Sequence, residues 1–329
     1  MKAVTIVNHG GIEGLEIRDV EPPTSPTGYL VRVKVRAAAL NRADILQRVG
    51  HYPAPAGAPQ DIPGLEFAGE VDEVGPDAGQ WKPGQRVFGI TGGGAQAEYI
   101  TVPGIHLAEI PANLEWTEAA AVPEAFITAH DAVFTRANLR SGETVLVHAA
   151  GSGVGTAVTQ LARAAGAAVL GTSRTADKLE RAKEYGLSKA VIVNDRLEVF
   201  AEAAQEWTSG RGVNVIIDLV GARYFESNLT ALTSQGRMVL VGTTAGARTP
   251  LDLSIVMRKR LTIIGTILRA RGIEEKATAT RLFVNHVVPL LADGSVRPVI
   301  DRIYKVEEIR EAHRRLETNE SFGKIVLVI

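Results

Sequence analysis

VLVHAAGSGVGTAVTQLARAAGAAVLGTSR, from Val145 to Arg174, is the stretch from which the rest of the chain can be read. Val145, Leu146 and Val147 form a short apolar run suited to a buried parallel strand, and Gly151, Gly153 and Gly155 supply a turn after it. Val154, Val158, Leu161, Ala162 and Ala165 then recur at helical spacing, so one face can lie on a sheet, and Gly166 is placed to end the helix. A second apolar run follows from Ala167 to Thr172. This order of strand, turn, helix and strand aims free backbone amides outward at a helix N-terminus. There the N–H groups and the helix dipole favour a phosphate. The strict G-x-G-x-x-G string fails, because Ala150 and Ser152 hold the first two glycine places when Gly155 is the third. The context carries the reading instead: a dinucleotide site using Ser152, Gly153, Val154 and Gly155, against the plainer alternative of a tight turn. A nucleophile elbow would need glycines two residues either side of Ser152. Those positions hold Ala150 and Val154, which argues against a hydrolase.

The end of the second strand selects among dinucleotides. An acidic residue there would accept bonds from the adenosine ribose of NAD, whereas this chain offers Thr172, Ser173 and Arg174, then Lys178. A guanidinium, an ammonium and a hydroxyl suit the extra 2′-phosphate of NADPH, so NADPH is expected over NADH. The alternative for Arg174 and Lys178 is a solvated helix start.

Composition bounds the function classes. With 329 residues the chain exceeds what one core usually supports, so two domains are expected. The 36 basic and 37 acidic residues nearly cancel, leaving no electrostatic case for nucleic acid or an anionic membrane. The absence of cysteine excludes disulfides, thiolate catalysis and cysteine-based zinc sites. No apolar run approaches the ~18 residues of a membrane span, and Ala3 to Val7 is too short for a signal segment, so a soluble cytoplasmic protein is expected.

The first third reads as a half-exposed β domain, because Val31, Val33 and Val35 alternate with Arg32, Lys34 and Arg36. From about Ala125 the texture becomes βαβ, with strands expected at Val145–Val147, Ala167–Thr172, Ala190–Val193, Val215–Val220, Met238–Val241 and Leu261–Leu268. Helices at Glu274–Leu291 and Val306–Leu316 and a strand from Lys324 to Ile329 follow. The expected fold is α/β. A doubly wound Rossmann domain with a six-stranded parallel sheet, residues 125–268, is inserted in a β-rich domain of residues 1–124 and 269–329, with a ligand cleft between them outside the carboxyl ends of the strands.

The chain resembles the medium-chain dehydrogenase/reductases through LNRAD (Leu40 to Asp44), PGLEFAGEV (Pro63 to Val71), HAAGSGVG (His148 to Gly155) and FGKIVL (Phe322 to Leu327). More narrowly it is similar to their zinc-free quinone oxidoreductases, and most to the stress-inducible NADPH:quinone branch related to zeta-crystallin. That likeness rests on Leu40 to Ala58, Gly92 to Pro103 and Val122 to Val133. The resemblance implies a GroES-like β-rich domain, a homodimer joined through the Leu261–Leu268 edge, and a quinone or conjugated carbonyl as substrate. Zinc-dependent relatives carry a cysteine where this chain has Asn41 and a histidine where it has Leu65, so no metal is expected.

The resemblance also implies residue roles. Asn41 and Tyr52 line the nicotinamide end and offer an amide N–H and a hydroxyl to the acceptor, the Tyr52 ring being able to stack on a flat quinone. Thr128, the Val241–Gly242 turn, Leu268, Phe322 and Lys324 match segments meeting the nicotinamide half of the cofactor. Gly92, Gly93 and Gly94 form either a mobile wall or a flexible hairpin, and His51 is expected in solvent. Relatives place a tyrosine on the adenosine phosphate where this chain has Val193. NADPH preference therefore rests on Arg174 and Lys178.

Overall fold

A computed structural model describes residues 1–329, which divide into two compact units: Met1–Ile127 with Leu268–Ile329, and Thr128–Ile267.

The second unit is built on six parallel strands in the spatial order Lys189–Ile192, Ala168–Ser173, Thr144–Val147, Val213–Asp218, Leu232–Leu240 and Thr262–Gly265. The two halves run outward in opposite directions from Thr144–Val147, the doubly wound order that leaves a crevice at the carboxyl end of the central strand. Val145, Leu146 and Val147 are fully buried, as a strand covered on both faces requires. The helix Gly153–Ala164 buries Ala157, Val158, Leu161 and Ala162. It ends in a left-handed Gly166, with Ala167 N–H on the Ala162 carbonyl and Gly166 N–H on that of Arg163.

Two elements end where side chains rather than periodicity decide. The strand expected through Val220 stops at Asp218, whose Oδ1 accepts the N–H groups of Val220 and Gly221 and folds the chain into a turn. The edge strand expected over Leu261–Leu268 shortens to Thr262–Gly265. Thr266 still bonds the Leu240 carbonyl but turns its hydroxyl to Asp131, and the chain departs from the sheet. In the turn before the helix the left-handed residue is Ala149 at φ 50°, and none of Gly151, Gly153 and Gly155 has a positive φ.

The first unit is a largely antiparallel sheet of Ile300–Lys305, Lys324–Val328, Leu30–Ala39, Glu66–Val74, Arg86–Ile90 and Leu107–Glu109, with Tyr99–Pro103 also paired to Leu30–Ala39. Val31, Val33 and Val35 join Phe67, Val71 and Val87 in its core. The alternation stops at Ala37. Ala37, Ala38, Ala39 and Leu40 are all buried, because this end of the strand is flanked by Phe67–Ala68 on one side and Val326–Val328 on the other. That register pairs Val326 with Ala39 and brings Lys324 beside Asn41. The long helix expected over Glu274–Leu291 is two helices, Ile273–His286 and Val288–Ala292, broken just before Pro289 because proline's ring cannot sit inside a continuous helix. No helix is long and apolar enough to cross a membrane.

Candidate active site

In the second unit, Ser152 is the N-cap of Gly153–Ala164, its Oγ accepting the Gly155 N–H at 3.0 Å. The amides of Gly153 and Val154 lie in the first turn, where no intrahelical carbonyl reaches them, and both residues are half-buried. Gly155 is required by packing: a Cβ there would stand 2.3 Å from the Ala149 carbonyl oxygen. The turn thus presents an unspent pair of N–H groups on a close-packed backbone, the donor set a pyrophosphate needs.

Ser173 closes the neighbouring strand, and its hydroxyl accepts the Thr175 N–H at 3.4 Å. Arg174 follows it, exposed and without an ion pair, while Lys178 is half-buried on the helix Ala176–Lys183. Val193 is fully buried among Phe200, Leu170 and Tyr224, so it serves the core. Val241 and Gly242 are anchored by N–H bonds to the Asp218 carbonyl at 2.8 and 3.2 Å. Thr128 is half-buried on the helix Pro123–His130.

Beneath the turn lies a network that sequence reasoning missed. The fully buried His148 ring meets Thr172 Oγ1 at 2.9 Å through Nδ1 and Asn228 Oδ1 at 2.6 Å through Nε2. Asn228 Nδ2 donates to Asp218 Oδ2 at 3.0 Å. Burial pushes the imidazole pKa down, so the ring is neutral, with Nε2–H donating to Asn228 and Nδ1 accepting from the threonine hydroxyl. Phe200 and Tyr224 pack edge-on against the ring. The imidazole therefore ties together the carboxyl ends of three strands below the turn.

In the first unit, Asn41 caps the helix Arg42–Arg48, with its N–H on Asp44 Oδ2 at 2.7 Å. Its side chain faces Lys324 and Glu66. Lys324 Nζ donates to the Leu40 carbonyl and Asn41 Oδ1, both at 2.7 Å, and to Glu66 Oε1 at 2.6 Å. All three ammonium hydrogens are thereby used. Asn41 Nδ2 donates to Glu66 Oε1 at 2.8 Å and weakly to the Ala39 carbonyl at 3.4 Å. The amide hydrogens expected to meet an acceptor carbonyl are already engaged, so Asn41 here organises the cluster. Lys324 begins its strand, yet it is 5% exposed and paired to a Glu66 that is fully buried. Phe322 is equally buried, its N–H on Asp301. Leu268 is buried as well, while His51 is in solvent.

Tyr52 is half-buried, and its hydroxyl makes no hydrogen bond within the protein. Its setting depends on Arg269, a residue without any local signal. This 3%-exposed guanidinium lies 5.0 Å from the Tyr52 ring centroid and donates to the Tyr52 carbonyl at 3.0 Å, the Gly92 carbonyl at 2.8 Å and Gln47 Oε1 at 2.5 Å. One side chain so fixes the tyrosine loop, the glycine triplet and a helix. Gly92, Gly93 and Gly94 are accordingly buried. A Cβ on Gly92 would stand 2.7 Å from Pro55 Cγ, so the triplet is a packed floor rather than a mobile wall. Burial raises the Tyr52 pKa, so its hydroxyl stays protonated at neutral pH.

Residues 28–112 match the family model described as an alcohol dehydrogenase GroES-like domain, and residues 153–285 the one described as zinc-binding dehydrogenase. Quinone oxidoreductase from Pseudomonas aeruginosa is 32% identical, with 99% of each chain covered. Among solved structures, an NAD-dependent alcohol dehydrogenase superposes with a TM-score of 0.89 at 33% identity over all of both chains. The Escherichia coli quinone oxidoreductase complexed with NADPH superposes at 0.88 and 28% identity, again over all of both chains. Zinc, which one family description implies, does not fit the residues present. Asn41 and Leu65 replace the cysteine and histidine, the Lys324 ammonium fills the grip of Asn41 and Glu66, and no group of three His, Cys, Asp or Glu could hold a metal. The matched models, the full-length identity and the two-unit fold together establish that the chain is an oxidoreductase of the medium-chain dehydrogenase/reductase family, within its quinone oxidoreductases.

Proposed function

We propose that the protein is a zinc-independent, NADPH-dependent reductase whose acceptor is a quinone or, as the second choice, an α,β-unsaturated carbonyl. The observation that carries this reading is the Lys324 ammonium held by Leu40, Asn41 and Glu66. A hydrogen-bond-saturated cation cannot act as the Lewis acid that polarises an alcohol. A quinone or enone needs less, because its acceptor orbital is already low in energy, and positioning with one or two donors suffices.

The Gly153 and Val154 amides, with Ser152 holding the turn, support pyrophosphate binding, and Ser173, Arg174 and Lys178 support the 2′-phosphate. Thr128, Val241 and Gly242 are assigned to the nicotinamide half. When bound, the nicotinamide supplies the hydride from its C4. The Tyr52 hydroxyl is free to donate to the acceptor oxygen, and its ring, braced by Arg269, can stack on a flat substrate. The short edge strand Thr262–Gly265, with Leu253, Met257 and Ile267 exposed in the same unit, supports a homodimer; a monomeric mass by light scattering at micromolar protein would overturn that assembly.

The test is steady-state loss of nicotinamide absorbance with NADPH and NADH in parallel, against an ortho-quinone and a simple enone. Faster NADPH oxidation with the quinone is expected. Preference for the enone would move the assignment to a double-bond reductase, and demonstrated NADPH binding without oxidation by either acceptor would make the protein a sensor or structural protein.

A further inference from the structure

Three carboxyl side chains, Asp44, Glu66 and Glu124, gather around one ammonium in the first unit, and they are not equivalent. Glu66 takes the charge of Lys324 at 2.6 Å. Asp44, fully buried on the helix Arg42–Arg48, accepts the N–H groups of Asn41 at 2.7 Å and Gly64 at 3.0 Å. Glu124, at the start of the helix Pro123–His130, commits only its backbone: its N–H donates to Glu66 Oε2 at 2.8 Å. Its carboxyl forms no hydrogen bond and no ion pair within the protein, and the residue is partly exposed where Asp44 and Glu66 are sealed.

Every element packed around Glu124 contributes charge. Glu66 comes from the strand Glu66–Val74, Asp44 from the helix Arg42–Arg48, Lys324 from the last strand, Lys276 from the helix Ile273–His286, and Arg269 and Tyr52 from connecting segments. The nearest cation is already saturated, so a second carboxylate beside Glu66 would be poorly compensated. Burial, then the like charge of Glu66, push the Glu124 carboxyl up to about 8, against the opposing pull of Lys324 and Lys276.

We propose that Glu124 is a catalytic acid that delivers a proton to the acceptor, once hydride has been transferred, from the unpaired, partly exposed carboxyl it carries beside the sealed Glu66–Lys324 pair. The assignment rests on the reductase reading above. Hydride and its electron pair convert a quinone to a hydroquinone monoanion, or an enone to an enolate. The O–H bond of Glu124 then breaks with its electron pair left on the carboxylate, a new O–H or C–H bond forms on the product, and solvent water reprotonates the side chain. Tyr52, whose hydroxyl feels the Glu124 charge, lies within the same electrostatic neighbourhood as a hydrogen-bond donor.

The test compares wild type, Glu124→Gln and Glu124→Asp. In wild type, turnover should fall as pH rises through about 8. Glu124→Gln should lower turnover at pH 7 by roughly 100-fold and flatten that alkaline limb, and Glu124→Asp should retain a descending limb. A readout without cofactor or substrate accompanies it. An acid with a raised native pKa stabilises the fold fully below its unfolded value and loses that contribution as pH rises to the folded one. The melting temperature of Glu124→Gln relative to wild type should therefore climb between about pH 4.5 and 8 and then level. A flat melting difference, or an active wild type whose rate and pH profile Glu124→Gln leaves unchanged, overturns the assignment alone. A wild type that oxidises NADPH with neither acceptor overturns the reductase reading and this assignment with it.

Discussion

The glycine-rich turn of the second unit and the Lys324 cluster of the first are both polar constructions set in apolar surroundings, made by opposite means. At the turn the working groups are backbone amides, aligned by an N-cap five residues after the strand, and almost every contact is local. In the cluster they are side chains whose partners lie 25 to 284 residues apart. A local backbone device tolerates changes in side-chain identity provided the backbone path survives, which is why Ala150 and Ser152 can replace a stricter glycine pattern. A long-range side-chain device depends on each charge finding its complement, so losing one member strands another in a dry environment.

That contrast can be broken most directly at Lys324. Lys324→Met leaves the fully buried Glu66 without its cation and should cost about 3–5 kcal/mol of unfolding free energy in urea titrations. Adding Glu66→Gln should recover a large part of this, and no recovery would show that the lysine acts through packing alone. Next in size, Arg174→Ala should weaken NADPH by roughly ten- to a hundredfold, the worth of a charge-assisted contact, and leave NADH nearly unchanged in titration calorimetry. Equal losses would remove the 2′-phosphate assignment. Gly155→Ala, which drives a methyl group to within 2.3 Å of the Ala149 carbonyl, should destabilise by about 1–3 kcal/mol in the same urea titrations, whereas Ser152→Gly at the cap should cost only a few tenths. For Tyr52→Phe a loss of about 1 kcal/mol, or roughly fivefold in turnover, is expected with NADPH binding intact. Unchanged turnover would take the hydroxyl out of the mechanism.

The sequence showed these two regions unequally. The strand, turn, helix and strand from Val145 to Ser173 could be read directly, because parallel strands covered on both faces are continuous apolar runs and the helix repeats its buried face every three to four residues. Asn41, Tyr52 and Lys324 could be singled out only through resemblance, and their arrangement not at all. Lys324 reaches Asn41 because the last strand pairs Val326 with Ala39, a register unrelated to any local pattern. Arg269 and Glu124 carried no signal: one sits just past the expected domain border, and the other in an apolar helix start. Nothing local pointed to the His148 imidazole, bound to Thr172 and Asn228, 24 and 80 residues away.

Periodicity and composition by themselves determined the two-part organisation, the six parallel strands, the glycine-rich turn before the helix and the absence of cysteine ligands, since each follows from residues close in sequence or from counting them. Tertiary structure alone decided that an ammonium stands in the grip of Asn41 and Glu66, that Arg269 locks the Tyr52 loop, and that the unpaired Glu124 carboxyl stands beside Glu66. Those properties depend on how charges from distant segments share one low-dielectric volume, where the balance of burial against pairing is set by ångström-scale distances that no local pattern encodes.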